Sequence, residues 1–170
     1  MRILHILDHS IPLHSGYTFR TRAILEQQRA MGWETFQLTS TKQGMTDSLI
    51  EHVGELAFYR TQPSRGAIAR LPAVNQLAVI ARLEQRLAEV IPEVKPDILH
   101  AHSPALNGLA ALRAARRTGI PLVYEVRAFW EDAASDHGTS REGGVRYRLT
   151  RQLESYVLKR ANAVTTICEG

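Results

Sequence analysis

The sequence predicts an α/β fold, a doubly wound and mainly parallel sheet with helices on both faces. Three observations carry this prediction. Short apolar runs of strand length alternate with longer amphipathic runs along the whole chain, which is the pattern of a sheet covered by helices. Residues 96–127, PDILHAHSPALNGLAALRAARRTGIPLVYEVR, read as strand, loop, helix, strand, a unit whose size implies parallel strands and a right-handed crossover. The 170 residues are 44% hydrophobic and 22% charged, the mixture of one soluble domain large enough to bury a core.

Taken in order, residues 3–7 form the first apolar run and the first buried strand. A polar loop, DHSIPLHSG, ends at Gly16 and leads into a helix from about 17 to 31. Phe19, Ala23, Ile24 and Ala30 are expected to face the sheet, and Gly32 stops the helix. Residues 33–40 are the second strand, with Trp33, Thr35 and Gln37 alternating with Glu34, Phe36 and Leu38. A loop follows over 41–48, then a strand expected at 56–60. The run QPSRG at 62–66 breaks the pattern and is expected to be mobile. Residues 72–89 make a long amphipathic helix with Val74, Leu77, Ile80, Ala81, Leu87 and Ala88 on its apolar side.

In the central unit, Pro96 opens the strand 97–101, since a proline begins a strand better than it sits inside one. Ser103 is the expected helix N-cap and Pro104 the first helical residue. Leu106, Leu109, Ala110, Leu112 and Ala115 fit one helical face, with Arg113, Arg116 and Arg117 on the other. Gly119 ends that helix before the strand 121–126. Residues 131–144 are loop by composition, 145–160 a helix with Leu149, Leu153, Tyr156 and Val157 at helical spacing, and 163–167 a last strand. There is no repeat and no low-complexity tract. Ending just after a strand, the chain reads as the first domain of a longer protein.

The single cysteine, Cys168, rules out an internal disulfide and fits a reducing compartment. The start is too short and interrupted for a signal peptide, and no apolar stretch reaches bilayer length, so a cytoplasmic location is expected. The net charge is +4. Its excess lies in two tracts: nine basic against four acidic residues over 60–118, and six against two over 141–160. Such tracts serve phosphorylated ligands or anionic lipid, or are simply solvated faces. Nucleic acid is not expected as a partner, because no binding module or aromatic-basic repeat accompanies the arginines.

In a parallel sheet, ligands bind beyond the carboxyl ends of the strands. One end carries His100, His102 and Ser103, and the next carries Arg127, Trp130, Glu131 and Asp132. Strand alternation puts His100 and His102 on one face, so a metal pair is geometrically open, but no third ligand lies close in sequence and no metal is expected. His100 is read as a packed core residue and His102 as the ligand-facing one. Arg127, Phe129, Trp130, Glu131 and Asp132 suit a polyhydroxylated ligand, with aromatic faces on sugar C–H surface and charges on hydroxyls, or else form a surface loop with an ion pair. Gly16, at a strand-to-helix turn, either lets a ligand approach the helix N-terminus or serves the turn alone. The three-glycine dinucleotide fingerprint is absent.

The start MRILHILDHSIPLHSGYTFRTRAILEQQRAMGWETFQLTS, the stretch PDILHAHSP and YEVRAFWED, in this order, resemble the N-terminal domain of family 4 (group 1) glycosyltransferases of the GT-B fold. Within that family they are most similar to the branch associated with exosortase and exopolysaccharide loci. The resemblance covers nearly the whole chain. It implies a Rossmann-like N-terminal half of a two-domain enzyme. That enzyme transfers a sugar from a nucleotide-sugar donor to a glycan or lipid-linked acceptor, with retention and without metal or other cofactor. The N-terminal domain of such enzymes mostly binds the acceptor. On this reading His102 and Arg127 are catalytic, and Ser15 and Gly16 meet the donor phosphate. His14, Tyr17, Ser103, Trp130 and Glu131 meet the acceptor. An anionic membrane surface is a further expected partner for a lipid-linked acceptor, through Arg65 and Arg70 with Ile68 and Leu71, and through Arg113, Arg116 and Arg117.

Two departures from the family pattern stand out. Ser15-Gly16 replaces a Gly-Gly pair, and Arg127 stands where many relatives carry a histidine. An arginine cannot serve as a general base near neutral pH, so its role there is electrostatic. Because His102 and Arg127 sit at strand ends, their truncation is expected to leave the fold intact. Two alternatives remain: half of a sugar-nucleotide epimerase of the same architecture, and a non-catalytic α/β binding module.

Overall fold

The computed structural model describes residues 1–63, 72–128 and 144–167. In chain order these form β1 (Arg2–Leu7), α1 (Gly16–Ala30), β2 (Glu34–Thr39), a 3-10 turn (Thr41–Gln43), β3 (Ile50–Val53) and β4 (Leu56–Tyr59). Then come α2 (Pro72–Val94), β5 (Ile98–His102), α3 (Ala105–Thr118), β6 (Leu122–Val126), α4 (Val145–Leu158) and β7 (Ala163–Thr166). The strands make one seven-stranded sheet in the order β3-β4-β2-β1-β5-β6-β7. Every pairing is parallel except that of β3 with β4. The α/β, mainly parallel, Rossmann-like architecture expected from the sequence is therefore the one observed. β3 was not foreseen. Its four residues alternate between exposed and half-buried with no apolar run, and only its pairing with β4 defines it.

The sheet has two unlike faces. Leu4, Ile6, Leu38, Leu99, Ala101, Leu122 and Tyr124 point to one side and join the buried residues of α2, α3 and α4 in the main core. Register stacks this face tightly: Leu4 lies beside Leu99, and Leu99 beside Leu122. Gly108 lets α3 come close, since a Cβ there would meet Tyr124 Cε2 and Val157 Cγ1 each at 2.7 Å. The opposite face carries His5, Gln37, Thr39, His102 and Glu125, all buried.

Helix faces follow from this asymmetry. α1 turns Thr18, Thr21, Leu25 and Gln28 inward, whereas Phe19, Ala23 and Ala30 are exposed. The expected apolar stripe is thus wrong, because the surface beneath α1 is mixed: Thr18, Thr21 and Gln28 meet its polar side chains, and Leu25 joins a small apolar cluster with Leu7, Leu56 and Phe58. On α2 the buried residues are Val79, Ile80, Leu83, Leu87, Val90, Ile91 and Val94, while Val74 and Leu77 stay exposed. The helix runs on past residue 89 through Pro92, and its strongly apolar second half sets the face. On α4, Leu149 is exposed and Glu154 and Val157 are buried. Ser103 does not cap α3. Pro104 occupies the N-cap position without a side-chain bond, and Ser103 Oγ instead accepts the Arg127 backbone N–H at 3.0 Å.

Candidate functional site

β1, β5 and β6 are adjacent and parallel, so their carboxyl ends share one edge of the sheet. A cavity of about 10 Å³ opens there, lined by Leu7, Asp8, His9, Tyr17, His102, Ser103 and Arg127. That is room for one water-sized group.

The loop after β1 forms one wall and is fixed from behind. Ser40 Oγ donates to the Asp8 carbonyl at 2.8 Å, and Ser10 N–H donates to Gln43 Oε1 at 2.8 Å. Arg60 is fully buried, pairs with Glu51 at 2.7 Å, lies 4.5 Å over the Phe58 ring and donates to the Ile11 carbonyl at 2.6 Å. Ser15 ends the loop as the N-cap of α1, its Oγ accepting from Thr18 N–H at 3.1 Å and lying 2.9 Å from His9 Nε2. Gly16 begins α1, and a Cβ there would meet nothing within 4 Å. Neither packing nor a left-handed backbone demands glycine at that position.

The far wall is built on Glu125. Arg127 Nε donates to Glu125 Oε1 at 2.9 Å, and its Nη1 donates to the Tyr17 carbonyl at 3.1 Å and to Thr21 Oγ1 at 2.8 Å. Arg127 Nη2 is buried and has no hydrogen-bond partner. Arg20 Nε adds a second donor to Glu125 Oε1 at 3.1 Å. Burial works against the Glu125 carboxylate, but His100, Arg127 and Arg20 outweigh it and hold its pKa at about 2. Burial also lowers the Arg127 guanidinium pKa, against the opposing pull of Glu125.

Behind this wall, His5 Nδ1 lies 3.0 Å from His102 Nε2, and His5 Nε2 lies 2.8 Å from Gln28 Oε1. Burial first, and the neighbouring His100 second, lower the His5 pKa to about 3 and push that of His102 well below its usual value. Both rings are therefore neutral at physiological pH. The ring nitrogens of His5, His100 and His102 offer three atoms within 4.8 Å of one another.

Of the residues singled out in the sequence, Tyr17, His102, Ser103 and Arg127 converge on the cavity, and Ser15 and Gly16 stand at the helix end beside it. His14 is exposed, its ring 5.5 Å from that of Phe19, and is not part of the lining. Trp130 and Glu131 lie outside the described residues. His102 differs from expectation: it is 1% exposed, and its Nε2 is taken by His5 while Nδ1 is buried against Glu125. Arg127 is 5% exposed. Truncating either residue at this strand end would empty buried space, so an undisturbed fold is no longer expected.

His5, Glu125 and Arg60 were missed. The first two left a signal, because a titratable residue inside a buried apolar strand must find a partner. Arg60 left none. The basic cluster on α3 is largely spoken for: Arg113 and Arg117 both reach Glu84 on α2, and Arg116 reaches the Tyr156 hydroxyl.

The family model described as a glycosyl transferase 4-like domain matches residues 15–170. The chain belongs to this family. Among curated proteins, this glycosyl transferase 4-like domain is similar to a GDP-mannose-dependent alpha-mannosyltransferase of Mycolicibacterium smegmatis, with 26% identity over 156 residues, covering 91% of the chain and 40% of the relative. A GDP-mannose-dependent alpha-mannosyltransferase of Corynebacterium glutamicum is 25% identical over 123 residues, covering 72% of the chain and 28% of the relative. The domain thus spans less than half the length of these relatives. Among solved structures, it resembles the sucrose-phosphate synthase of Thermosynechococcus elongatus with a TM-score of 0.69 and 16% identity, over 96% of the domain and 41% of that chain. It also resembles the UDP-GlcNAc 2-epimerase of Neisseria meningitidis, with a TM-score of 0.51 and 15% identity, over 92% of the domain and 38% of that chain. At these identities the two structures speak for the fold alone. Among the described residues, no helix is long and apolar enough to cross a membrane.

Proposed function

We propose that this domain is the acceptor-side half of a retaining glycosyltransferase that moves a sugar from a nucleotide-sugar donor to a glycan or lipid-linked acceptor in polysaccharide synthesis. The observation that carries the reading is the cavity at the shared strand ends, beside the N-terminus of α1, in a chain of the glycosyl transferase 4-like family. In this reading the cavity is one part of a larger site, which a second wall completes. The curated relatives, more than twice as long as their matched parts, support a further nucleotide-sugar domain in the parent protein.

In this reading Arg127 presents Nη2, its one uncommitted donor, to a donor phosphate oxygen or an acceptor hydroxyl, while Glu125 holds the guanidinium in place. Gly16 leaves space for the donor at the start of α1, where the helix N-terminus favours an anion. His102 stiffens the cavity wall. Tyr17 and Ser103 border the acceptor. The transfer needs no metal. GDP-mannose, named in the two curated relatives, is the first donor to try. The exosortase or exopolysaccharide association rests on the sequence motifs, and with it contact with an anionic membrane surface, weakened by the pairing of Arg113 and Arg117 with Glu84. The epimerase alternative has only the shared fold in its favour.

The test compares the parent protein with residues 1–170 alone. The parent is expected to transfer sugar from GDP-mannose or another nucleotide sugar without added magnesium or manganese, and the isolated domain to transfer none. Turnover by the isolated domain would overturn the half-site reading. Epimerised nucleotide sugar formed without any acceptor would move the assignment to the epimerase. Activity lost in chelator and restored by manganese would overturn metal independence.

A further inference from the structure

Under α1, behind the cavity wall, lies a cluster of His5, His100, His102 and Glu125 that backs the groups of the proposed transfer. Sheet register assembles it: His5 on β1 is the partner of His100 on β5, and His102, on the same face two residues further, is the partner of Glu125 on β6. The hydrogen bonds then set the protons. Gln28 Oε1 accepts from His5 Nε2 at 2.8 Å, which leaves His5 Nδ1 as an acceptor. His102 Nε2 therefore donates to His5 Nδ1 at 3.0 Å, and His102 Nδ1 keeps a lone pair. That nitrogen is buried, has no hydrogen-bond partner and lies 3.5 Å from Glu125 Oε2. His100 Nε2 is buried and unpartnered as well, 3.4 Å from the same oxygen. A buried nitrogen lone pair, as on His102 Nδ1, turned towards a carboxylate oxygen is costly unless something positive sits between them.

We propose that His100 Nε2, His102 Nδ1 and Glu125 Oε2 form a binding site for a divalent ion of the zinc class. Two imidazoles and one carboxylate suit zinc, cobalt or nickel rather than magnesium or calcium. Two of the three ligand-to-ligand spacings, 3.4 and 3.5 Å, match a tetrahedral ion with bonds of about 2.0–2.2 Å, and the His100 and His102 rings, stacked 4.4 Å apart, turn to bring their nitrogens onto it. The outer layer is in place too: His5 orients His102, and Gln28 orients His5. The two guanidiniums bind the other carboxylate oxygen, Oε1, and leave Oε2 to the ion. Their charge opposes a cation, so affinity is moderate and Arg20 holds it down. The ion is a strut that fixes His102 and Glu125, and through Glu125 the Arg127 side chain. It lies behind the reacting groups and takes no part in sugar transfer. The site stands independently of the transferase reading.

The test is titration of the metal-free purified chain with cobalt(II), followed by its visible spectrum, and with zinc by calorimetry and by displacement of cobalt. One saturable zinc per chain is expected, with magnesium failing to compete. His100→Gln, at a partly exposed position, is expected to weaken zinc at least about tenfold while circular dichroism stays unchanged. Arg20→Gln, at an exposed position, is expected to tighten zinc by about tenfold. No saturable uptake by the unaltered chain would overturn the proposal and leave a proton on His102 Nδ1 as the occupant. Uptake indifferent to both substitutions would overturn it as well, placing the ion on surface histidines such as His14 or His52.

Discussion

The two faces of the sheet are built from alternate residues of the same strands, yet one is wholly apolar at its centre and the other sets buried polar groups beside a small apolar cluster of Leu7, Leu25, Leu56 and Phe58. One face runs Leu4, Ile6, Leu99, Ala101, Leu122 and Tyr124, and is sealed by α2, α3 and α4. The other runs His5, His100, His102 and Glu125, flanked by Gln37 and Thr39, and is covered by α1. The apolar face stabilises the fold by leaving water. The polar face costs desolvation and recovers it only through a closed set of hydrogen bonds and ion pairs. Even so it is incompletely satisfied, since both amide atoms of Gln37 lack partners. The polar groups cluster where they border and support the cavity at the strand ends.

The comparison can be broken or sharpened by substitution. The largest effect is expected from Glu125→Ala, which leaves Arg127 buried and unpaired and should cost about 3–5 kcal/mol in chemical denaturation. On the apolar face, Leu99→Ala should cost about 2–5 kcal/mol through lost burial and a residual cavity. Acid should act through the polar face. His5 titrates at about 3 in the folded chain against 6.5 unfolded, so the unfolded chain takes up the proton first. Stability held above pH 6.5 is then lost as pH falls towards 3, at about 1.4 kcal/mol per pH unit for that histidine. Glu125, at about 2 against 4.5, acts in the same sense below pH 4.5. Denaturation midpoints measured from pH 7 downward check this; a flat profile would mean the polar face is already solvated. Gly108→Ala should cost about 1–3 kcal/mol by forcing α3 away from Tyr124 and Val157. The exposed Arg113→Ala, which removes a bond to Glu84, should change stability by less than about 1 kcal/mol.

Much of the architecture was legible because strand runs and helix stops are local. Gly119 ends α3 in a left-handed conformation as expected, and the parallel β5-α3-β6 unit stands where its length placed it. Helix orientation was less legible, because it depends on what lies beneath. Phe19 looked like an inward residue, but the helix turns Thr18, Thr21, Leu25 and Gln28 to the sheet instead. The cavity was half legible: His102, Ser103 and Arg127 follow from the rule that ligands bind at strand ends, and Tyr17 came only from the family resemblance. Its support was not, since His5 and Arg60 meet the site only through strand register and a buried guanidinium that crosses to the Ile11 carbonyl.

The central claim is that the Glu125–Arg127 pair serves the site rather than the fold. The direct measurement replaces both at once, Glu125→Leu with Arg127→Met, and follows denaturation together with sugar transfer by the parent protein. A buried ion pair exchanged whole for apolar residues of similar size is often neutral or stabilising, by about 1–4 kcal/mol. The account predicts stability unchanged or raised and transfer abolished. A double variant that unfolds easily, or one that still transfers sugar at the original rate, would contradict it.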